Sequence, residues 1–288
     1  MAKEWCIGII GGSGLYNIEG LDDEQWLLID TPWGDPSDEI LFGRIGNVKV
    51  RFLPRHGRGH PISPTDLNSR ANVDALKRAG CTDILAISAV GSLREELEPG
   101  RFVLADQFID HTAHRASTFY SSGFVTHVSM ADPTCPRLSE MAAKAVTACK
   151  GKVATGATYL AMEGPQFSTR AESRMYRQWG ADIIGMTGMP EAKLAREAEL
   201  PYALMGMVTD YDCWRDGEEV NVAQVVAQMQ ENSQLAREAV VKFIESLPKT
   251  RKASPIDKAL DDAVITAPEE QDPEMMAKLD AVAGRVLG

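Results

Sequence analysis

The sequence is poor in the residues that build covalent or metal frameworks. Its five cysteines (Cys6, Cys81, Cys135, Cys149, Cys213) never stand in a CxxC spacing, so neither a disulfide framework nor a zinc site is expected. Histidine is equally sparse, with five in all. His56 and His60 stand four apart, but the glycines around them argue against a helix and no carboxylate accompanies them. His111 and His114, in Asp-His-Thr-Ala-His-Arg, read as polar loop residues. No metal is expected. Positive charge is also short: 30 Lys and Arg face 41 Asp and Glu, a net charge of −11. Phosphate-backbone binding needs a basic face, so nucleic acid is not an expected partner. Long apolar runs are missing too. The stretch ending at Ile10 is broken by glycines, leaving no signal-peptide core, and no later segment is long enough to span a bilayer. The chain reads as cytoplasmic, with no membrane partner.

What is there is an ordinary globular composition, 44% hydrophobic and 25% charged over 288 residues. That length suits one large α/β domain with an appendage, or two small domains, and buries a sizeable core without staples. Strands are expected at Trp5–Ile10, Val48–Leu53, Asp83–Ser88, Arg101–Ala105, Asp182–Met186 and Tyr202–Thr209. Several are almost wholly apolar, as strands covered on both faces are. Helical spacing of apolar residues marks Asp66–Arg78, Arg137–Cys149, Arg170–Trp179, Glu191–Glu199 and Val222–Ser246. Alternating strands and helices predict an α/β sandwich with ligands at the carboxyl ends of the strands. Composition shifts after Pro248. Residues 1–248 are expected to form the main domain and 249–288 a polar linker and an amphipathic helical tail. In that tail Met275, Met276, Leu279, Val282 and Val286 share one side, which packs on its own domain or on a neighbouring subunit.

The strand ends carry the chemistry. Gly8-Ile-Ile-Gly-Gly-Ser-Gly14 fits neither a dinucleotide fingerprint nor a Walker loop, yet offers backbone N–H groups and the Ser13 hydroxyl to an oxyanion. Arg55 and His56 close the second long apolar strand and suit phosphate. Ser88 and Thr187 put hydroxyls at two more ends. Phe167, in Glu-Gly-Pro-Gln-Phe-Ser-Thr-Arg, fits either a planar base or core packing. Asp210 and Asp212 stand two apart just past a strand, a pair that is costly to bury without a purpose. Nothing suggests a covalent nucleophile triad.

Taken together these motifs resemble the trimeric purine nucleoside phosphorylase superfamily, most closely its methylthioadenosine phosphorylase branch. The resemblance is carried by Ile9–Gly14, Arg55-His56-Gly57, Asn72–Gly91, Asp106–Asp110, Glu163–Phe167, Ala171-Glu172-Ser173, Trp179–Asp182, Met186-Thr187 and Thr209–Trp214, over roughly residues 5 to 247. It implies a three-layer α/β sandwich around a mixed central sheet. It also implies phosphorolysis of methylthioadenosine to adenine and a 5-methylthioribose 1-phosphate, with inorganic phosphate as co-substrate and no cofactor. By position the phosphate site falls on Ser13, Arg55, His56, Ser88, Ala89 and Thr187; Ser13 and Ser88 stand where relatives often have Thr. Ala89 and Met186 fall beside the ribose, Phe167 and Ser168 beside the purine, and Asp210 and Asp212 at the base edge. Val222, Val225 and Val226 correspond to the lining of the 5′ substituent. At Val222, relatives that prefer a 5′-hydroxyl tend to have His. His127 corresponds to a residue contributed by an adjacent subunit, and the assembly implied is a homotrimer or a dimer of trimers.

The implied reaction is displacement at C1′ through an oxocarbenium-like transition state. Asp210 would protonate or hydrogen-bond N7 of the departing adenine, which needs a carboxyl pKa raised by burial and by Asp212. Three rivals are weighed against this reading. A 6-oxopurine or methylthioinosine phosphorylase is disfavoured by Asp210 and Asp212, since relatives of that kind typically read the base with Asn. A hydrolytic nucleosidase is disfavoured by Arg55. A non-catalytic nucleoside-binding protein is disfavoured by the full set of polar strand ends.

Overall fold

In the computed structural model, residues 4–12, 14–15, 20–215 and 220–287 are described. Nine strands form one mixed sheet in the order β2-β3-β4-β1-β5-β8-β7-β6-β9. They are β1 (Cys6–Gly11), β2 (Asp22–Leu27), β3 (Ile40–Ile45), β4 (Val48–Pro54), β5 (Asp83–Ser92), β6 (Phe102–His111), β7 (Val153–Met162), β8 (Ile183–Gly185) and β9 (Tyr202–Asp210). β5 pairs in parallel with both β1 and β9, while β9 also pairs antiparallel with β6. The strands β5, β8, β7, β6 and β9 therefore close on themselves. Closure brings the ends of β5, β7, β8 and β9 around one opening. β1 and β4, parallel to each other, extend the sheet outward.

β1 and β9 are buried along almost their whole length, which is why they are continuous apolar runs and not alternating ones. The six expected strands are present. Three others were not read from the sequence, and each hides for a reason. β2 (DDEQWL) is a largely exposed, charged strand at the sheet's edge. β3 (ILFGRI) is interrupted by Gly43, where any Cβ would strike Leu21. β7 (VATGATYLAM) is rich in Ala, Thr and Gly, and Gly156 has φ of +79°.

Helices α1 (Ser69–Arg78), α2 (Pro136–Ala148), α3 (Arg170–Gln178), α4 (Gly188–Glu197) and α5 (Val222–Glu245) fall where helical spacing placed them. α1 starts three residues later than its apolar pattern, because the Asn68 side chain accepts from Ala71 N and caps it there. α3 opens on a capping box made by Thr169 and Glu172.

The tail departs from its expected form. Pro268–Glu270 is only a 3₁₀ turn, and α6 runs from Pro273 to Lys278 instead of continuing to Gly288. Two prolines and an extended Gln271–Asp272 break prevent one long helix. Leu279, Val282 and Ala283 nevertheless bury in the main core. The polar stretch after Pro248 is pinned. The Arg251 side chain is 2% exposed and pairs with Asp83 (2.5 Å) and Asp257 (2.6 Å). Composition alone concealed this, since a buried arginine and a loose one spell the same.

Candidate active site

The closed part of the sheet gathers its strand ends around a cavity of about 680 Å³, in the size range of small-molecule sites. Arg55, His56, Ser88, Ala89, Phe167, Met186, Thr187, Asp210, Asp212, Val225 and Val226 all line it. Residues far apart in sequence meet there because β4, β5, β8 and β9 end at the same rim.

At one end sit the cation and the hydroxyls. Arg55 follows β4 and is 1% exposed. Its Nε donates to Glu191 Oε1 (2.5 Å) and its Nη2 to Glu191 Oε2 (3.2 Å), while Nη1 donates to Ile87 O (2.8 Å). The His56 Nδ1 lies 2.9 Å from Ile62 O. A carbonyl can only accept, so Nδ1 carries the proton and Nε2 of the neutral ring is an acceptor. Burial, with the Arg55 charge beside it, pushes the His56 pKa down to about 4. His60 stacks on His56 with ring centroids 4.2 Å apart. The Ser88 and Thr187 hydroxyls are hydrogen-bonded to each other at 2.8 Å. Ser13 lies outside the described residues.

At the other end sit the carboxylates. Asp210 Oδ2 accepts from Thr209 Oγ1 and Oδ1 from Asp212 N, each at 2.7 Å. Burial raises the Asp210 pKa, and these two bonds oppose the rise. Burial also raises Asp212, with the Asp210 charge adding to it. Asp212 Oδ2 has no hydrogen-bond partner among the described residues; the Ser173 hydroxyl is near enough to favour the ionised form but makes no bond of good geometry. Both carboxyl residues line the cavity, where a ligand can meet them. Gly91 leaves room here, since a Cβ on it would lie 3.0 Å from Asp210 Oδ1, tighter than ordinary contact.

Between the two ends the walls are apolar. Phe167 is 44% exposed and faces the cavity, which decides against core packing for its ring. Val225 and Val226 reach it from the first turns of α5. Val222 does not: as the first residue of α5 it is 63% exposed and outside the lining. Ser168 is also outside, its hydroxyl on Met162 Sδ and its carbonyl accepting from Cys213 Sγ. His127 is exposed and away from the lining, its backbone N–H on Ala263 O.

Several supporting residues escaped the sequence reading. Glu191 was read only as the first residue of a helix, though an acidic side chain among Met189, Ala192, Leu194 and Ala195 was the available signal. It also accepts from the Tyr202 hydroxyl (3.0 Å). Arg115, its side chain 3% exposed, ties together the ends of β7 and β8 through Met162 O, Glu163 O, Met186 O and Met189 O. The Tyr159 hydroxyl oxygen accepts from Thr187 N and Gly188 N and so fixes the start of α4. Arg115 and Tyr159 had no local signal.

The comparisons with known proteins agree with one another. Residues 6–245 match the model of the phosphorylase superfamily. An S-methyl-5′-thioadenosine phosphorylase of Cereibacter sphaeroides is 56% identical over 98% of each chain, and one of Rhodospirillum rubrum is 51% identical over 99% of this chain and 98% of its own. A crystal structure of methylthioadenosine phosphorylase from an antarctic soil metagenomic library superposes with a TM-score of 0.89 at 44% identity, covering 97% of this chain and 99% of the other. The Schistosoma mansoni methylthioadenosine phosphorylase in complex with adenine gives 0.77 at 39% identity, over 84% of this chain and 91% of its own. With a family match across the whole sheet and relatives of equal length, the chain belongs to the phosphorylase superfamily.

Proposed function

We propose that the protein is an S-methyl-5′-thioadenosine phosphorylase, a pentosyltransferase that releases adenine and 5-methylthioribose 1-phosphate. The observation that carries this reading is one cavity with an arginine and two hydroxyls at one end and two burial-raised carboxyls at the other. The names of its nearly full-length relatives support it. Inorganic phosphate, the co-substrate, is held near Arg55, His56, Ser88, Ala89 and Thr187, with Ser13 assigned there by resemblance. No cofactor is needed. A phosphate oxygen attacks C1′, the C1′–N9 bond breaks, and the bonding pair leaves with adenine. Holding phosphate against the sugar makes a bimolecular step one within a complex. Asp210, whose pKa burial raises, donates to N7 of the departing base from its protonated form, while Asp212 accepts from the exocyclic amine. Phe167 flanks the purine and Met186 the ribose. Val225 and Val226 favour the apolar methylthio group. The assembly proposed, by resemblance, is a cytoplasmic homotrimer. Among the described residues no helix is long and apolar enough to cross a membrane.

The test is product analysis with methylthioadenosine, adenosine and methylthioinosine, with and without phosphate. Phosphate-dependent release of adenine, with methylthioadenosine the best substrate, is the expected result. Equal cleavage in phosphate-free buffer, giving free methylthioribose, would sink it.

A further inference from the structure

Two features of the cation end are odd for a simple anion trap. The first is how fully Arg55 is engaged within the protein. A guanidinium has five N–H donors. Four are taken: Nε and one Nη2 N–H by Glu191, the other Nη2 N–H by Ile10 O (3.4 Å), and one Nη1 N–H by Ile87 O. A single Nη1 N–H is left for a ligand. Glu191 cancels the charge as well, the two side chains being 2% and 4% exposed. No second Lys or Arg lines the cavity among the described residues. The second feature is His56. Its Nδ1–H is committed to Ile62 O, so the ring offers a lone pair on Nε2, which accepts no hydrogen bond among the described residues.

We infer that this site selects its oxyanion by a proton. It takes a tetrahedral anion that carries a hydroxyl hydrogen for His56 Nε2, and it discriminates against an anion of the same shape that carries none. The inference rests on the phosphate reading above and deepens it. Near neutrality both forms of inorganic phosphate keep at least one P–OH, and arsenate likewise keeps As–OH. Sulfate is fully ionised, with four acceptor oxygens and no donor. Placed here, it sets lone pair against lone pair at His56, leaving a buried polar group unpaired. Sites built around one hydrogen bond reject analogues that lack it. Glu191 sharpens the choice, because a net cationic cradle would reward any dianion through charge alone. By orienting Arg55 and cancelling its charge, Glu191 and Tyr202 act as positioning residues.

Isothermal titration of phosphate, arsenate and sulfate into the full-length protein, at neutral pH and fixed ionic strength, tests this. Phosphate and arsenate should bind within about threefold of each other, and sulfate about tenfold or more weaker. In His56→Gln, whose amide can donate as well as accept, the sulfate-to-phosphate ratio of Kd should fall to about threefold or less. In Glu191→Gln sulfate should gain on phosphate. Sulfate binding as tightly as phosphate to the unmodified protein would overturn the inference, as would a ratio unchanged in His56→Gln. If turnover still requires phosphate in those cases, the proposed activity stands and only the proton-based selection fails. If neither phosphate binding nor phosphate-dependent cleavage is found, it is the proposed function that falls.

Discussion

At the scale of single residues, the site is a set of compromises between stability and chemistry, and Asp210 is the sharpest. Burial raises its pKa. A carboxyl whose folded pKa lies above its unfolded value contributes most below the unfolded value, and that contribution is lost as pH rises. At neutral pH the buried Asp210 therefore opposes folding. Asp210→Asn should raise Tm by about 2 °C, because the amide oxygen can still accept from Asp212 N and the amide can donate to Thr209 Oγ1. The same change should lower kcat/KM for methylthioadenosine by about 100-fold, the lower end for a lost general acid. It should also erode the preference for methylthioadenosine over methylthioinosine, since Asn can donate to a 6-oxo group. Calorimetry and steady-state kinetics on one preparation check both signs; a drop in Tm would show that the carboxylate is structural. Asp210 and Asp212 were legible in the sequence because two acids at a strand end are costly and stand out. Glu191, Arg115 and Tyr159 act from elsewhere in the fold on Arg55, Met186 and Thr187, and only tertiary contacts reveal them.

At the scale of elements, helix α5 shows where sequence position and space part company. Val222, Val225 and Val226 are equivalent in a sequence, but α5 begins at Val222 and turns it to solvent. If these valines set the 5′ selectivity proposed above, Val225 and Val226 carry it, because they line the cavity and Val222 does not. Val225→Thr keeps the volume and adds a hydroxyl. It should raise kcat/KM for adenosine relative to methylthioadenosine by about tenfold, within the 1–3 kcal/mol that such pockets discriminate. Val222→His, on the exposed position, should change that ratio less. The reverse order in a substrate comparison would mean that α5 shifts on binding. Helix α4 carries a second prediction. Its Glu197 accepts from Phe119 N (2.7 Å) and Thr118 Oγ1 (2.8 Å), and burial raises its pKa to about 7. The contribution of this group is full below about 4.5 and is lost as pH rises through about 7. Glu197→Gln, which can keep both bonds by donating to Thr118, should remove that part of the pH dependence and gain stability relative to the parent above pH 7. Denaturant titrations at several pH values measure it, and parallel curves for the two proteins would refute it.

At the scale of the whole molecule, two further expectations concern what lies beyond the sheet. The first is the tail. Arg251 is buried against Asp83, itself 0% exposed, and removing one partner of a buried pair strands the other charge. Arg251→Met should cost about 3–5 kcal/mol and open residues 249–288 to protease, although Arg137 keeps a second hold on Asp83. The second is assembly. His127 sits next to an isolated bridge in which Thr126 pairs with Val264, away from its own cavity. Beside it Val125 is 37% and Ile265 is 62% exposed, two large apolar side chains flanking a polar one on the surface. Exposed apolar residues are ordinary taken singly; these two, joined by the Ile265 N–H to Val125 O bond (2.9 Å), offer a small apolar contact to another chain. If the trimer proposed above forms there, His127 reaches the site of a neighbour rather than its own. Light scattering should then give three times, or six times, the chain mass of 31.4 kDa. His127→Ala should leave that mass unchanged while raising the nucleoside KM about three- to tenfold, the worth of one hydrogen bond, with the phosphate KM little affected. Ile265→Lys should instead lower the mass toward one chain and lower activity with it. A protein that stays fully active at the mass of a single chain would remove both the trimer and the part assigned to His127.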